Sequence, residues 1–156
     1  MTYRVLFLCT GNSARSQMAE ALLNVLGKGR FQAFSAGSTP TGDVQPLAAR
    51  LIRELGYTAP LRSKNWDEFA ASGAADLDFV ITVCDKAAGE ACPVWPGQPV
   101  LAHWGVPDPA KSPDDMSAFM DAWVTLRRRI ELLLALPLEK LDAMAREEKL
   151  RAFGKA

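Results

Sequence analysis

The chain has 156 residues, 49% hydrophobic and 23% charged, which fits one domain able to bury about two-thirds of its unfolded surface without disulfides or metal. Lys+Arg and Asp+Glu both number 18, so no broad positive field exists to capture nucleic acid or a membrane surface, and small solutes are the expected partners. The apolar run from Val5 to Leu8 is too short for a signal sequence or a membrane span; in the cytoplasmic setting this predicts, three cysteines read as reduced thiols with nucleophilic or redox work.

In chain order, Val5-Leu6-Phe7-Leu8 is a strand buried on both faces, and Met18, Ala21, Leu22, Val25 and Leu26 recur at helical spacing until Gly27 stops them. A weaker strand covers residues 31–35, and residues 46–55 pattern as a helix with Leu47, Leu51 and Leu55 on one side, ended by Gly56. Residues 66–71 form a short helix, residues 79–83 the strongest strand of the sequence, and residues 100–103 a shorter one. A long helix over residues 114–134 buries Phe119, Trp123, Leu126 and Ile130, while Arg127-Arg128-Arg129 reads as a solvated face. The tryptophans at 66, 95, 104 and 123 read as core or loop anchors. Pro137 then breaks the pattern. The division is one domain over 1–137 and a tail, 138–156, whose Leu138, Leu141, Met144 and Ala145 suggest a surface helix with no assignable role. Alternating strands and helices predict a doubly wound, three-layer αβα fold around a four-stranded parallel sheet, with ligands beyond the carboxyl ends of the strands. Cys9, Cys84 and His103 all fall at such ends.

The first strand runs into Cys9-Thr10-Gly11-Asn12-Ser13-Ala14-Arg15-Ser16. A cysteine leaving a buried strand, five small or polar residues, an arginine and a serine opening a helix curl successive backbone N–H groups of Thr10 to Arg15 around a point suited to a tetrahedral oxyanion. Arg15 can grip two oxygens with its planar fork, and the amides, the helix N-terminus and the Ser16 hydroxyl favour thiolate over thiol at Cys9. A Cys-x5-Arg spacing alone is common; its placement between strand and helix, with Gly and Asn where unusual dihedrals are needed, gives it weight.

Cys84 directly follows the residue 79–83 strand and Cys92 lies eight residues on. If residues 85–91 are helical, the two stand roughly 12 Å apart, whereas a disulfide needs Cα atoms within about 7 Å. The pair is bridged only if the segment unwinds, which Gly89 favours. A zinc site from Cys9, Cys84, Cys92 and His103 lacks the usual close-paired spacing, so no metal is expected. In His103-Trp104-Gly105-Val106-Pro107-Asp108-Pro109 the prolines stiffen the loop around one carboxyl group, which makes Asp108 the candidate general acid. His103 reads as a structural residue.

These residues, with Ser35-Ala36-Gly37, Thr82-Val83-Cys84, Cys92-Pro93 and His103-Trp104-Gly105, resemble the thioredoxin-coupled arsenate reductases built on the low-molecular-weight tyrosine phosphatase fold, over about residues 3–134. The resemblance implies a flavodoxin-like topology and a relay. Cys9 attacks arsenate with Arg15 and Ser16 assisting and Asp108 as acid; Cys84 attacks the Cys9 adduct, releasing arsenite; Cys92 then attacks Cys84, and thioredoxin, or glutaredoxin in its place, reduces the Cys84–Cys92 disulfide. A monomer with no bound cofactor is the expectation. Ala14 stands where several relatives carry another cysteine, and Ser63-Lys64-Asn65 replaces a stretch that offers an aspartate to a potassium ion, so no potassium site is expected and the Lys64 ammonium would take its place, supporting Asn12 and Ser35. The alternative is a low-molecular-weight tyrosine phosphatase, which needs Cys9, Arg15 and Asp108 alone. Against it, Ala110 and Lys111 follow Asp108-Pro109 where a phosphotyrosine ring would want an aromatic wall. A flavin carrier with a similar phosphate loop would need neither Cys9 nor Arg15.

Overall fold

The computed structural model describes residues 2–71, 73–90 and 93–156. Its sheet has four parallel strands in the order β2-β1-β3-β4, with β1 at Tyr3–Leu8, β2 at Phe31–Ala36, β3 at Phe79–Thr82 and β4 at Val100–His103. Each is close to the stretch that its apolar residues predict. The helices are α1 (Arg15–Leu26), α2 (Pro46–Leu55), α3 (Asp67–Ala70), α4 (Asp85–Ala88), α5 (Met116–Leu134) and α6 (Ala143–Phe153). Among the described residues no helix is long and apolar enough to cross a membrane.

Period-two alternation along β1 divides the interior into two layers. Tyr3, Val5 and Phe7 point into the larger core with Met18, Leu22, Ile52, Phe119 and Ile130 from α1, α2 and α5. Leu6 and Leu8 point the other way, onto Trp66, Leu77, Val80 and Trp95. Trp66 and Trp95 meet edge to face with ring centroids 6.2 Å apart, and all four tryptophans are buried. The arrangement is the three-layer αβα fold expected from the pattern.

Two elements differ from the sequence reading. Arg129 is not on the solvated face with Arg127 and Arg128. It is buried, with Nη1 donating to the Gly105 carbonyl at 3.1 Å, because it lies three residues after Leu126 and one before Ile130 on the core-facing stripe of α5. The tail is docked rather than merely superficial: Leu138 and Leu150 are fully buried, and the Trp104 indole N–H donates to the Leu150 carbonyl at 2.8 Å. Met144, expected on the apolar side, is 80% exposed, since α6 turns its Leu150 face, not its Met144 face, to the protein.

The strand order reverses between β1 and β3, and such a switch point leaves a crevice at the carboxyl ends. Leu8 of β1 is in register with Thr82 of β3. Cys9 and Cys84 therefore leave neighbouring strands, which lie about 4.8 Å apart in a sheet.

Candidate active site

Cys9 begins a turn that is held from several sides. Asn12 takes a left-handed backbone, φ 46°, which asparagine tolerates better than most residues, and its side chain is buried. Asn12 Nδ2 donates to Ser16 Oγ at 2.8 Å, while Oδ1 accepts from the Lys64 backbone N–H at 2.9 Å and from Gln17 Nε2 at 3.0 Å. Gln17 also donates to the Arg62 carbonyl at 2.8 Å, which moors the loop to the chain before α3. Gly37 supports the other flank, where a Cβ would overlap the Cys9 and Thr10 carbonyls.

α1 opens at Arg15, so its first N–H groups adjoin the loop. The Cys9 sulfur lies 2.9 Å from Ser16 Oγ and the residue is only 4% exposed. That burial departs from the expectation of a thiolate-favouring site. Loss of water pushes the Cys9 thiol above its ordinary value; hydrogen bonding to Ser16 opposes this, the nearby Cys84 thiol adds to it, and the Arg15 charge draws it down.

Arg15 joins the loop to the segment after β4: Nη1 donates to the Val106 carbonyl at 2.8 Å and Nη2 lies 3.7 Å from Asp108 Oδ1. The Asp108 carboxylate also accepts from the Ala110 N–H at 2.9 Å, so it is oriented by its own turn. Cys9, Gly11, Arg15, Cys84, Asp108 and Lys111 line one cleft of about 950 Å³. Thr10, Ser13 and Ala14 complete the loop's share of its wall.

Cys84 is 2% exposed, with its sulfur 3.8 Å from Thr10 Oγ1 and accepting from the Ala87 N–H at 3.4 Å. Adjacent strand ends thus present two thiols to one cleft. α4 stops at Ala88, with Gly89 in a turn, shorter than the 85–91 helix expected. Cys92, the third expected thiol, lies outside the described residues, as does Ala91. His103 is fixed by two contacts, Nδ1 with Thr82 Oγ1 at 2.7 Å and Nε2 with Asp85 Oδ1 at 2.8 Å, which suits a structural part.

The support for Ser35 and Lys64 runs through Glu20, which sequence reasoning missed. Ser35 Oγ donates to Glu20 Oε1 and the Tyr57 hydroxyl to Oε2, both at 2.8 Å, and the Lys64 ammonium lies 3.8 Å from Oε1. Lys64 reaches Asn12 through its backbone N–H, not its ammonium. Burial pulls the Lys64 ammonium down while Glu20 raises it; burial and then the Glu20 charge push the Tyr57 hydroxyl up to about 12. A carboxylate four residues after Ser16 on a helix buried along that face was the available signal. Polar helix positions ordinarily read as exposed.

Residues 4–148 match the model of the family described as low molecular weight phosphotyrosine protein phosphatase. The chain belongs to that family. Within it, the chain is 35% identical over 124 residues to an arsenate reductase of Halalkalibacterium halodurans, covering 80% of this chain and 84% of the relative. Among solved structures it is similar to an arsenate reductase from Archaeoglobus fulgidus, with TM-score 0.68 and 30% identity over 85% of this chain and 99% of that one. It is also similar to a thioredoxin-dependent arsenate reductase from Corynebacterium glutamicum, with TM-score 0.61 and 26% identity over 89% of this chain and 64% of that one. The family match runs through the buried Leu138 to residue 148, so part of the segment set apart as a tail lies inside the family's span.

Proposed function

We propose that this chain reduces arsenate to arsenite, with Cys9 as nucleophile and with Cys84 and Cys92 as the thiols that carry the electrons. The observation that carries this reading is the second buried thiol at the switch point. Cys84 shares the cleft with Cys9 and lies 3.8 Å from the hydroxyl of Thr10, the residue next to the nucleophile. Hydrolysis of a phosphocysteine needs one thiol; an arsenic bonded to sulfur accepts electrons only when another thiolate attacks that sulfur. The similarity to proteins named as arsenate reductases points the same way.

The steps follow from the residues. The Cys9 thiolate bonds to arsenic, Arg15 and the loop amides hold the equatorial oxygens, and Asp108 protonates the oxygen that departs as water. Cys84 attacks the Cys9 sulfur; the sulfur–sulfur bond forms, the sulfur–arsenic pair passes to arsenic, and arsenite leaves. Cys92 next attacks Cys84, releasing Cys9 as a thiolate, and a dithiol protein of the thioredoxin class reduces the Cys84–Cys92 disulfide, as the name of the Corynebacterium relative suggests. Thioredoxin is thus the proposed partner and a reducing, cytoplasmic compartment the proposed setting.

The loop, Arg15 and Asp108 are also what a phosphatase needs, so slow hydrolysis of small aryl phosphates is a side reaction of this site. Asp108→Asn should lower both activities about a hundredfold, the lower end of the usual contribution of a general acid. Cys84→Ser should abolish arsenate reduction and spare aryl phosphate hydrolysis. Absence of arsenate reduction in the wild type, with aryl phosphate hydrolysis that Cys84→Ser leaves unchanged, would favour the phosphatase reading.

A further inference from the structure

The stretch that follows Cys84 has little support of its own. α4 is a single turn, and the bonds that continue it are long, from Gly89 N–H to the Asp85 carbonyl at 3.2 Å and from Glu90 N–H to the Ala87 carbonyl at 3.3 Å. One helical turn fixes several dihedrals for few hydrogen bonds and does not persist unaided. Side chains at its two ends dock it. At the start, Asp85 meets His103, but the Asp85 side chain is 94% exposed and water competes for it. At the far end, Glu90 reaches back to two other segments: Oε1 accepts from Thr10 Oγ1 at 3.1 Å and Oε2 from Ser38 Oγ at 2.6 Å. One carboxylate ties together the redox segment, the anion loop and the loop after β2.

We propose that Glu90 is a positioning residue for the thiol exchange, holding Cys84 against the Cys9 loop while the Cys9–Cys84 bond forms. This rests on the reductase reading. An ionised carboxylate accepts only, so both hydroxyls must donate to it. With its proton committed to Glu90, the Thr10 oxygen offers Cys84 a lone pair at 3.8 Å, which fixes the Cys84 thiol toward the cleft.

Glu90→Ala and Ser38→Ala break the tie from opposite sides. In the reduced protein, hydrogen exchange of the amides of residues 85–90 should quicken about tenfold in both, with Glu90→Gln, which keeps an acceptor oxygen, in between. In a Cys92→Ser parent, where the reaction stops at the Cys9–Cys84 disulfide, mass spectrometry should show the maximal rate of arsenate-dependent disulfide formation about tenfold lower in Glu90→Ala. Half-saturation by arsenate should change less than threefold. Exchange within twofold of the parent in both alanine variants overturns the proposal, as does faster exchange with the disulfide rate unchanged. If the Cys92→Ser parent itself forms no arsenate-dependent disulfide, the reductase reading fails instead.

Discussion

Ser16 Oγ stands 2.9 Å from the Cys9 sulfur and is itself held at 2.8 Å by the Asn12 amide. Because Asn12 donates to the Ser16 oxygen, the Ser16 proton is left to point at the sulfur, where it favours the thiolate against the effect of burial. Ser16→Ala should move the pH profile of Cys9 alkylation by iodoacetamide upward. A shift of one pKa unit, about 1.4 kcal/mol, would slow the reaction about tenfold at pH 7. An unchanged profile would mean that the hydroxyl only fills space.

Asn12 combines a left-handed backbone with bonds to Ser16, Gln17 and Lys64. Asn12→Ala forces a residue with a Cβ and no local hydrogen bond into that conformation and strands the Lys64 N–H. Urea unfolding should show a loss of about 2–4 kcal/mol. Phosphate binding, followed by protection of Cys9 from alkylation, should weaken with it.

The Tyr57 hydroxyl, pushed up to about 12 from its usual 10, favours the folded state only while it is neutral in both states. Its contribution is complete below about pH 10 and is lost as pH rises from 10 through 12. The stability difference between wild type and Tyr57→Phe, measured by denaturant titration, should therefore shrink across that window. A constant difference would place the raised hydroxyl elsewhere.

Lys64 puts an ammonium 3.8 Å from Glu20, where it supplies positive charge to the carboxylate that also holds Ser35 and Tyr57. Exchanging sodium for potassium chloride at constant ionic strength should alter turnover less than twofold. In Lys64→Ala the Glu20 carboxylate is left without its cation, and added potassium should stimulate. Strong potassium activation of the wild type would contradict this placement.

Much of the molecule was legible because its strands are short apolar runs and its chemistry sits at their ends. Val5-Leu6-Phe7-Leu8 and Phe79-Val80-Ile81 marked the central strands, and the residues after them, Cys9 and Cys84, are the thiols that the switch point brings together. Pro46 and Gly56 bounded α2 to the residue. What escaped were polar groups that work from inside. Arg129 reads as a surface residue because helix patterning assigns charged positions to water, and for the same reason nothing in the pattern singles out Glu20 or Glu90, yet each has neutral hydroxyl or carbonyl partners supplied from distant segments. Spacing within a single element carries no record of such partners. The burial of Cys9 was likewise hidden, since the motif shows the donors around the sulfur but not how completely the loop shuts out water.

The most direct measurement is NADPH consumption with arsenate, thioredoxin and thioredoxin reductase, comparing the wild type with Cys9→Ser, Cys84→Ser and Cys92→Ser. The relay predicts arsenate-dependent turnover in the wild type and at least a hundredfold loss in each variant. Turnover near the wild-type rate in Cys84→Ser or Cys92→Ser would contradict it.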